Sequence, residues 1–444
     1  MKIRTITIKN YRCFEEITLS LGDKITLLVG KNGTGKTAIL DAIAVAVSAF
    51  LGGIEGGISR NIQKEDARYQ FYDLEGIVDT QHQFPVILSA EGECGGISGI
   101  KWNRSLNSAD GKTTVKEAFQ LTDIARNMQS RIMAGDTEAV LPILSYYGTG
   151  RLYARKRKRK DLKVLQKFSR QTGYIDCMLA ETNEELMLSW FEKMTLKDLQ
   201  NQQKTGHINK ILQLETVEQA ICQCFKSISG YDEAEIFFDL ETYRIMMEYA
   251  GNNGKKYRFA LNELSDGYKN TLSMIGDIAY RMAVLNPQLG GKILAETPGI
   301  ILIDEIDLHL HPQWQQTIAK DLRTIFPKVQ FIITSHAPAV IHSIEKENIR
   351  ILDGKKVYMP TEQTYGRDVN SILREVMQVG ERPEKIQHLL SAFYGAIDDE
   401  KVESAERYLK QLVDIVGDTD PEVSGARVTL DFEKMRARSD FDTL

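Results

Sequence analysis

Three things are scarce in this chain of 444 residues, and each scarcity excludes something. Cysteine is the first. Cys13, Cys94, Cys177, Cys222 and Cys224 are few for the length, odd in number and lack paired CxxC spacing, which excludes a disulfide framework and fits a reducing cytoplasm. Cys222 and Cys224 have the spacing of two metal ligands, but neither a second pair nor a nearby His completes a tetrahedral set, so packed thiols are the better reading. Long apolar runs are the second: nothing approaches the roughly 20 apolar residues of a membrane span. The N-terminus, MKIRTITIKNYRCF, alternates apolar with polar residues rather than forming a signal core, so a cytoplasmic protein with no membrane segment is expected. Excess positive charge is the third. A net charge of −5 argues against a wholly basic nucleic-acid coat and leaves room for a local basic patch.

What is present is an ordinary globular composition, 42% apolar and 26% charged, with core enough for two or three domains or one nucleotide-binding fold carrying insertions. The stretch that organises it is Gly30–Thr37, GKNGTGKT, which matches G-x-x-x-x-G-K-[ST] at every position. Ile25–Val29 ahead of it reads as a buried strand, and Ala38–Phe50 behind it, free of Pro and Gly, as a helix. Gly30, Gly33 and Gly35 let the backbone of Gly30, Lys31, Asn32, Gly33, Thr34, Gly35, Lys36 and Thr37 curl so that its N–H groups face one anion. The helix N-terminus adds partial positive charge, Lys36 reaches the β/γ-phosphates, and the Thr37 hydroxyl suits Mg²⁺.

In chain order, Ile3–Ile8 and Ile17–Leu21 alternate like an antiparallel pair around Asn10, Tyr11, Arg12 and Phe14. Gly52–Ser59 is glycine-rich and predicts an exposed, mobile loop. Strands are expected between Phe71 and Ala90 and near Ile100–Trp102, a helix over Lys116–Met133, and a buried strand over Val140–Tyr147. Arg155–Lys160, RKRKRK, places six consecutive cations in an acidic chain; a solvated loop, a nucleic-acid backbone contact and partner docking all fit it. Asp176–Phe225 is helical in pattern, with HINK at His207–Lys210 a coincidence, and strands return at Ile236–Tyr249 and Lys256–Phe259.

The second half supplies the groups that a phosphate loop needs. LSDGYKN, Leu264–Asn270, opens a long helix to Leu285, and its Ser265 and Gly267 make an anion-binding end. The phosphate loop already has its own helix, so Ser265 and Gly267 are expected to bind the γ-phosphate of a nucleotide held by a second copy. Gly299–Glu305, GIILIDE, is a strand ending in two carboxylates at the sheet's C-terminal edge. Asp304 there would hold Mg²⁺, and Glu305 would orient and deprotonate the attacking water. Asp307 follows in DLHLHP, where an interface role fits; His309 and His311 lack a third metal ligand. The strand Phe331–Thr334 delivers Ser335 and His336 to the same edge, where His336 either bonds the γ-phosphate or water or is a satisfied core histidine.

This order of motifs resembles the ABC-type ATPases of the SMC and RecF kind, over about the first 60 residues and positions 260 to 355. The resemblance implies an α/β ABC-type phosphate-loop fold with a helical insertion and a C-terminal helical hairpin. It makes Gly30–Thr37 the Walker A loop, Ser265–Gly267 the signature, Asp304 and Glu305 Walker B, Asp307 the D-loop and His336 the switch histidine, with Gln63 the nearest candidate for the Q-loop glutamine. SYYGTGRLY at Ser145–Tyr153, the basic run, RMAVLNPQLG, ETPGIILIDEIDLHLHPQWQ and the closing HLLSAFYGAIDDEKVESAERYLKQLVDIVGDTDPEV further resemble the PtuA-type ATPases of Septu and retron anti-phage systems. The expected organisation is residues 1–150 and 236–375 as the two parts of the ATPase domain, 151–235 as a helical insertion bearing the basic run, and 376–444 as a partner-docking segment. Apolar positions from Leu389 to Val413 predict a hairpin of helices, ended by Gly417–Pro421.

The resemblance implies ATP and Mg²⁺ as cofactors, a head-to-tail homodimer or higher oligomer, an HNH nuclease partner and, in retron versions, a reverse transcriptase with its RNA–DNA product, msDNA. No nuclease constellation is found in the chain itself. Two other readings stay open: a RecF-like repair ATPase gripping DNA through Arg155–Lys160, and a scaffold that holds ATP without turnover. A transporter ATPase fits least.

Overall fold

Ile25–Gly30 (β3) is buried along its apolar length, and a strand apolar on both faces has to lie inside a sheet. It is the third strand of six in a computed structural model that describes residues 1–74, 77–152, 169–179, 184–206, 210–251, 253–354, 356–377, 380 and 382–441. The basic run Arg155–Lys160 and His207–Asn209 lie outside those residues. The sheet order is β15 (Lys356–Tyr358), β14 (Ile349–Asp353), β3, β13 (Val329–Thr334), β12 (Gly299–Ile303), β8 (Ile143–Tyr147). Every pairing is parallel except that of the edge strand β15, so the C-terminal ends of β3, β12 and β13 come out side by side.

A second, antiparallel sheet holds β2 (Phe14–Ser20), β1 (Lys2–Tyr11), β6 (Val86–Cys94) and β7 (Ile97–Leu106). Side chains stitch the two sheets: Arg350 of β14 donates to Ser20 O of β2 at 2.8 Å. Buried Gln330 of β13 accepts from the Ile3 N–H and donates to the Ile3 and Gly22 carbonyls, at 2.8 to 2.9 Å, in place of a strand ladder. Helix Lys36–Val47 packs on both sheets, and Trp102 Nε1 donates to Ala46 O. The stretch Lys36–Gly53 is apolar enough to cross a membrane, yet 89% of it is buried within the protein.

The loop expected over Gly52–Ser59 is exposed at Glu55, Gly56 and Ile58 but is anchored at both ends. A short 3-10 turn runs from Ser48 to Gly53, and a side chain at Gly53 would stand 2.2 Å from Thr122 O. Ser48 then ties down both Ser59 and Arg60. Glycine serves here for close approach to helix Phe119–Met133 rather than for freedom. β4 (Tyr69–Leu74) and β5 (Ile77–His82) form a separate hairpin.

Helices Glu184–Thr205, Leu212–Ser229 and Asp266–Leu285 pack together, with a third sheet of β9 (Ala234–Asp239), β10 (Arg244–Ala250) and β11 (Lys256–Ala260) against them. The run Ile236–Tyr249 is thus two strands rather than one. Asp239 accepts from Thr242 Oγ1 and Glu241 N, and Tyr243 has φ 54, the signature of an Asx-type reversal.

The chain divides into Met1–Asp368 and Val369–Leu444. In the second unit the expected hairpin, Glu384–Asp398 and Val402–Val416, is joined by a further helix, Pro421–Phe441, around one core. Gly417, with φ 92, ends the second helix, and Asp420 accepts from the N–H groups of Glu422 and Val423 to start the third, with Pro421 at its first position. Val423, Ala426 and Leu430 join Phe393, Leu409 and Leu412 in the core.

Candidate nucleotide site

At the end of β3 the chain turns through the glycine loop. Gly33 and Gly35 have φ of 82 and 96, a region that side chains disfavour. Gly35 caps the following helix, and a side chain there would strike the Phe14 ring at 2.4 Å. The hairpin β1–β2 therefore props the loop from behind. Thr34 Oγ1 donates to Lys31 O at 2.9 Å, and Lys36 Nζ donates to the carbonyls of Gly30 and Lys31 at 2.8 and 3.1 Å. Lys31, Asn32 and Gly33 form the exposed tip. Burial lowers the Lys36 pKa, against the pull of Asp304, Glu305 and Asp307; that pull puts three carboxylates from after β12 within electrostatic reach of the lysine.

The parallel register explains that meeting. Asp304 N donates to Tyr147 O at the end of β8, and Ile306 N to Thr334 O at the end of β13. The carboxylate of buried Asp304 is held from two sides: Thr37 Oγ1 donates to Oδ2 at 2.8 Å, and Thr334 Oγ1 to Oδ1 at 2.7 Å. Thr334 Oγ1 also accepts from Glu305 N at 2.7 Å. Glu305 has φ 49, a strained conformation for a residue with a side chain, and such strain gathers at functional sites. The sequence marks β13 but nothing in it singles out Thr334, whose role needs the neighbouring strand; its place just before Ser335 and His336 is the available signal. The hydroxyl and carboxylate oxygens of Thr37 and Asp304, 2.8 Å apart, form the all-oxygen donor set that suits Mg²⁺.

His336 follows Ser335, whose hydroxyl accepts from Ala337 N at 3.0 Å. Burial, then Lys36, lowers the His336 pKa from its ordinary value against Asp307, Glu305 and Asp304, so near pH 7 the imidazole is neutral. Asp307 sits beside these groups, and its Oδ1 is buried without a partner among the described residues. His309 has φ 62, and His311 Nδ1 accepts from Gln313 N at 3.4 Å.

Ser265 and Gly267 lie elsewhere. Ser265 and Asp266 are exposed at the start of helix Asp266–Leu285, and Gly267 is buried against the loop after β12. No hydrogen bond among the described residues ties Ser265 or Gly267 to the phosphate loop. The far part of that helix is joined to the site instead: Tyr147 Oη donates to Asp277 Oδ2 at 2.7 Å, and Arg281 Nε donates to the same oxygen. Gln63 Nε2 donates to Asn61 O, and the residue lines a cavity of about 830 Å³ bounded by residues 55–63 and 169–179. Arg12, between the first two strands, bridges Asp41 of the phosphate-loop helix and Asp66 at 2.6 and 2.9 Å.

The chain is similar to known proteins. The AAA domain family matches residues 5–229, and the family described as "AAA domain, putative AbiEii toxin, Type IV TA system" matches residues 223–342. The chain is 25% identical to a "Retron Vc95 probable ATPase" of Vibrio cholerae serotype O1 biovar El Tor, over 86% of this chain and 80% of that protein. It is 24% identical to the "Septu protein PtuA" of Bacillus thuringiensis, over 92% of each. Among solved structures, an SMC head bound to the C-winged helix domain of ScpA aligns at a TM-score of 0.48 and 13% identity, over 81% of this chain and 97% of that one. With half its length matched, this chain belongs to the AAA domain family and is a relative of the retron and Septu ATPases.

Proposed function

We propose that the chain binds ATP at Gly30–Thr37 and hydrolyses it between two head-to-tail copies, as the ATPase subunit of an anti-phage defence complex. The hydrogen bonds Thr37–Asp304–Thr334 carry this reading, because they join the phosphate-loop hydroxyl to the carboxylate that would hold the cation, and Thr334 Oγ1 also accepts the backbone N–H of Glu305, the residue that bears the second acid. Backbone N–H groups of the loop and Lys36 would hold the phosphates, and Thr37 with Asp304 would hold Mg²⁺, which neutralises the charge developing on them. Glu305 would accept the proton of the attacking water, with neutral His336 bonding the γ-phosphate. Ser265 and Gly267 would complete the site from the second copy, with Asp307 at the interface. That exposed Ser265 has no hydrogen bond to the phosphate loop of its own chain, among the described residues, supports the paired arrangement.

The similarity to Septu PtuA and a retron ATPase supports a partnership with an HNH nuclease and, in a retron, a reverse transcriptase with msDNA; the three-helix unit is the proposed docking segment. Phosphate release tests the enzymatic part. Wild type should hydrolyse ATP and Lys36→Ala should bind it roughly 10- to 100-fold more weakly, the loss of a charged hydrogen-bond donor. Equal affinity in the variant would remove Gly30–Thr37 from the site. Co-expression with candidate nucleases tests the rest: a stable complex that survives Glu305→Gln but loses ATP control is expected.

A further inference from the structure

The start of helix Asp266–Leu285 is clamped by the loop that leaves β12. A methyl group at Gly267 would stand 2.6 Å from His309 O and 3.2 Å from the Trp314 ring. The next residue, Tyr268, meets Trp314 edge to face, with ring centroids 4.3 Å apart at 62°, a geometry that aromatic pairs favour. Between Glu305 and Trp314 the backbone is a series of tight turns: Leu308 N donates to Glu305 O, Leu310 N to Asp307 O, and Trp314 N to His311 O, at 2.8 to 3.0 Å. Gln315 Nε2 closes the last of them on Leu310 O. A displacement at Trp314 therefore has no slack chain in which to dissipate before Asp307 and Glu305.

The same helix is held a second time at Asp277, by Tyr147, whose carbonyl accepts the Asp304 N–H. Asp277 lies near the middle of the helix, so that attachment alone does not fix the first turn. Tyr268 also meets the Phe225 ring, centroids 5.8 Å apart, on the side of helix Leu212–Ser229, and the Gly267–Tyr268 contact with His309 and Trp314 ties the turn to the loop after β12. We infer that Trp314 is a positioning residue: it fixes the exposed Ser265–Asp266 turn relative to Asp307 and Glu305, so that both faces offered to a second copy are presented in one register. The inference rests on the paired-site reading above, and only its consequence for dimerisation depends on that reading.

Two measurements on the full chain separate the two. In the Glu305→Gln background with ATP, adding Trp314→Ala should weaken dimerisation at least about 10-fold by analytical ultracentrifugation, while ATP affinity at Gly30–Thr37 stays within about 2-fold. Trp314→Phe, which keeps an aromatic ring for Tyr268, should restore most of the loss. Independently of any dimer, hydrogen exchange at the Lys269 and Asn270 amides should speed up at least about 10-fold in Trp314→Ala, with amides beyond Asp277 unchanged. Should Trp314→Ala fold poorly, Tyr268→Leu removes the ring contact from the other side and should give the same exchange pattern. Unchanged exchange at the first turn in either folded variant overturns the inference, as does dimerisation that is undisturbed despite faster exchange. A Glu305→Gln parent that stays monomeric in ATP sinks the paired-site reading instead, and the exchange result still decides whether Trp314 holds the turn.

Discussion

Two helix N-termini in this molecule are proposed to meet an anion, and they are finished in opposite ways. At Lys36 the phosphate-loop helix is surrounded by its own chain: Lys36 is held to Gly30 and Lys31, Thr37 to Asp304, and Phe14 closes on Gly35. At Asp266 the first turn is pinned from beneath, through Gly267, while Ser265 and Asp266 face outward. A helix end that is fully furnished can bind phosphate on its own. One that is rigid beneath and open above suits the paired site proposed above, in which chemistry is stored on the first side and assembly on the second.

The largest expected break in this comparison falls on the stored chemistry alone. Glu305→Gln should lower phosphate release by about 10²- to 10⁴-fold, the range for a lost general base, while ATP affinity and ATP-dependent pairing persist. A variant that still turns over at the wild-type rate would move the base to another residue. Next in size is the link between the two sides. Arg281 and Asp277 are an ion pair with both side chains at most 5% exposed; burial alone would lower the Arg281 pKa, and Asp277 together with Tyr147, Tyr280 and Cys177 outweighs it. Asp277→Ala leaves that guanidinium buried and uncompensated, so a loss of about 3–5 kcal/mol in unfolding free energy is expected. Tyr147→Phe keeps the ion pair and removes one hydrogen bond, so about 1 kcal/mol is expected. Equal losses from the two substitutions would mean that the ion pair contributes nothing beyond the hydroxyl.

The contrast also explains which parts of the molecule could be read from sequence. The phosphate loop, β3, β12 and β13 are contiguous runs whose residue types dictate their own conformation, and the acids and histidine follow because a parallel sheet delivers strand ends to one edge. Thr334, Gln330 and the Gly267–Trp314 contact were not legible, because each is meaningful only beside a residue distant in the chain. Turn chemistry misled twice. Gly53 reads as a loop but is a close approach to Thr122, and Gly417–Pro421 reads as an end but is the joint before a third helix capped by Asp420. In both, the residue type signals a change of direction without revealing what lies across it.

The smallest effect sharpens the comparison on the assembly side. Glu218 lies on helix Leu212–Ser229, which packs against the helix that begins at Asp266. Burial pushes its pKa up to about 7, against the opposing bond from Lys210 and helped by Glu235 and Asp198. A carboxyl raised in the folded state stabilises most where both states are protonated, below its ordinary value of 4.5. Between there and about 7 the unfolded chain releases the proton while the folded one keeps it, so stability declines as pH rises, by at most about 1.4 kcal/mol per pH unit. Glu218→Gln should flatten that decline in a melting series from pH 5 to 8 and leave ATP affinity unchanged across it. An unaltered slope would show that Lys210 already offsets the burial of Glu218. A change in ATP affinity would show that the two helix ends are coupled more tightly than their separate furnishing implies.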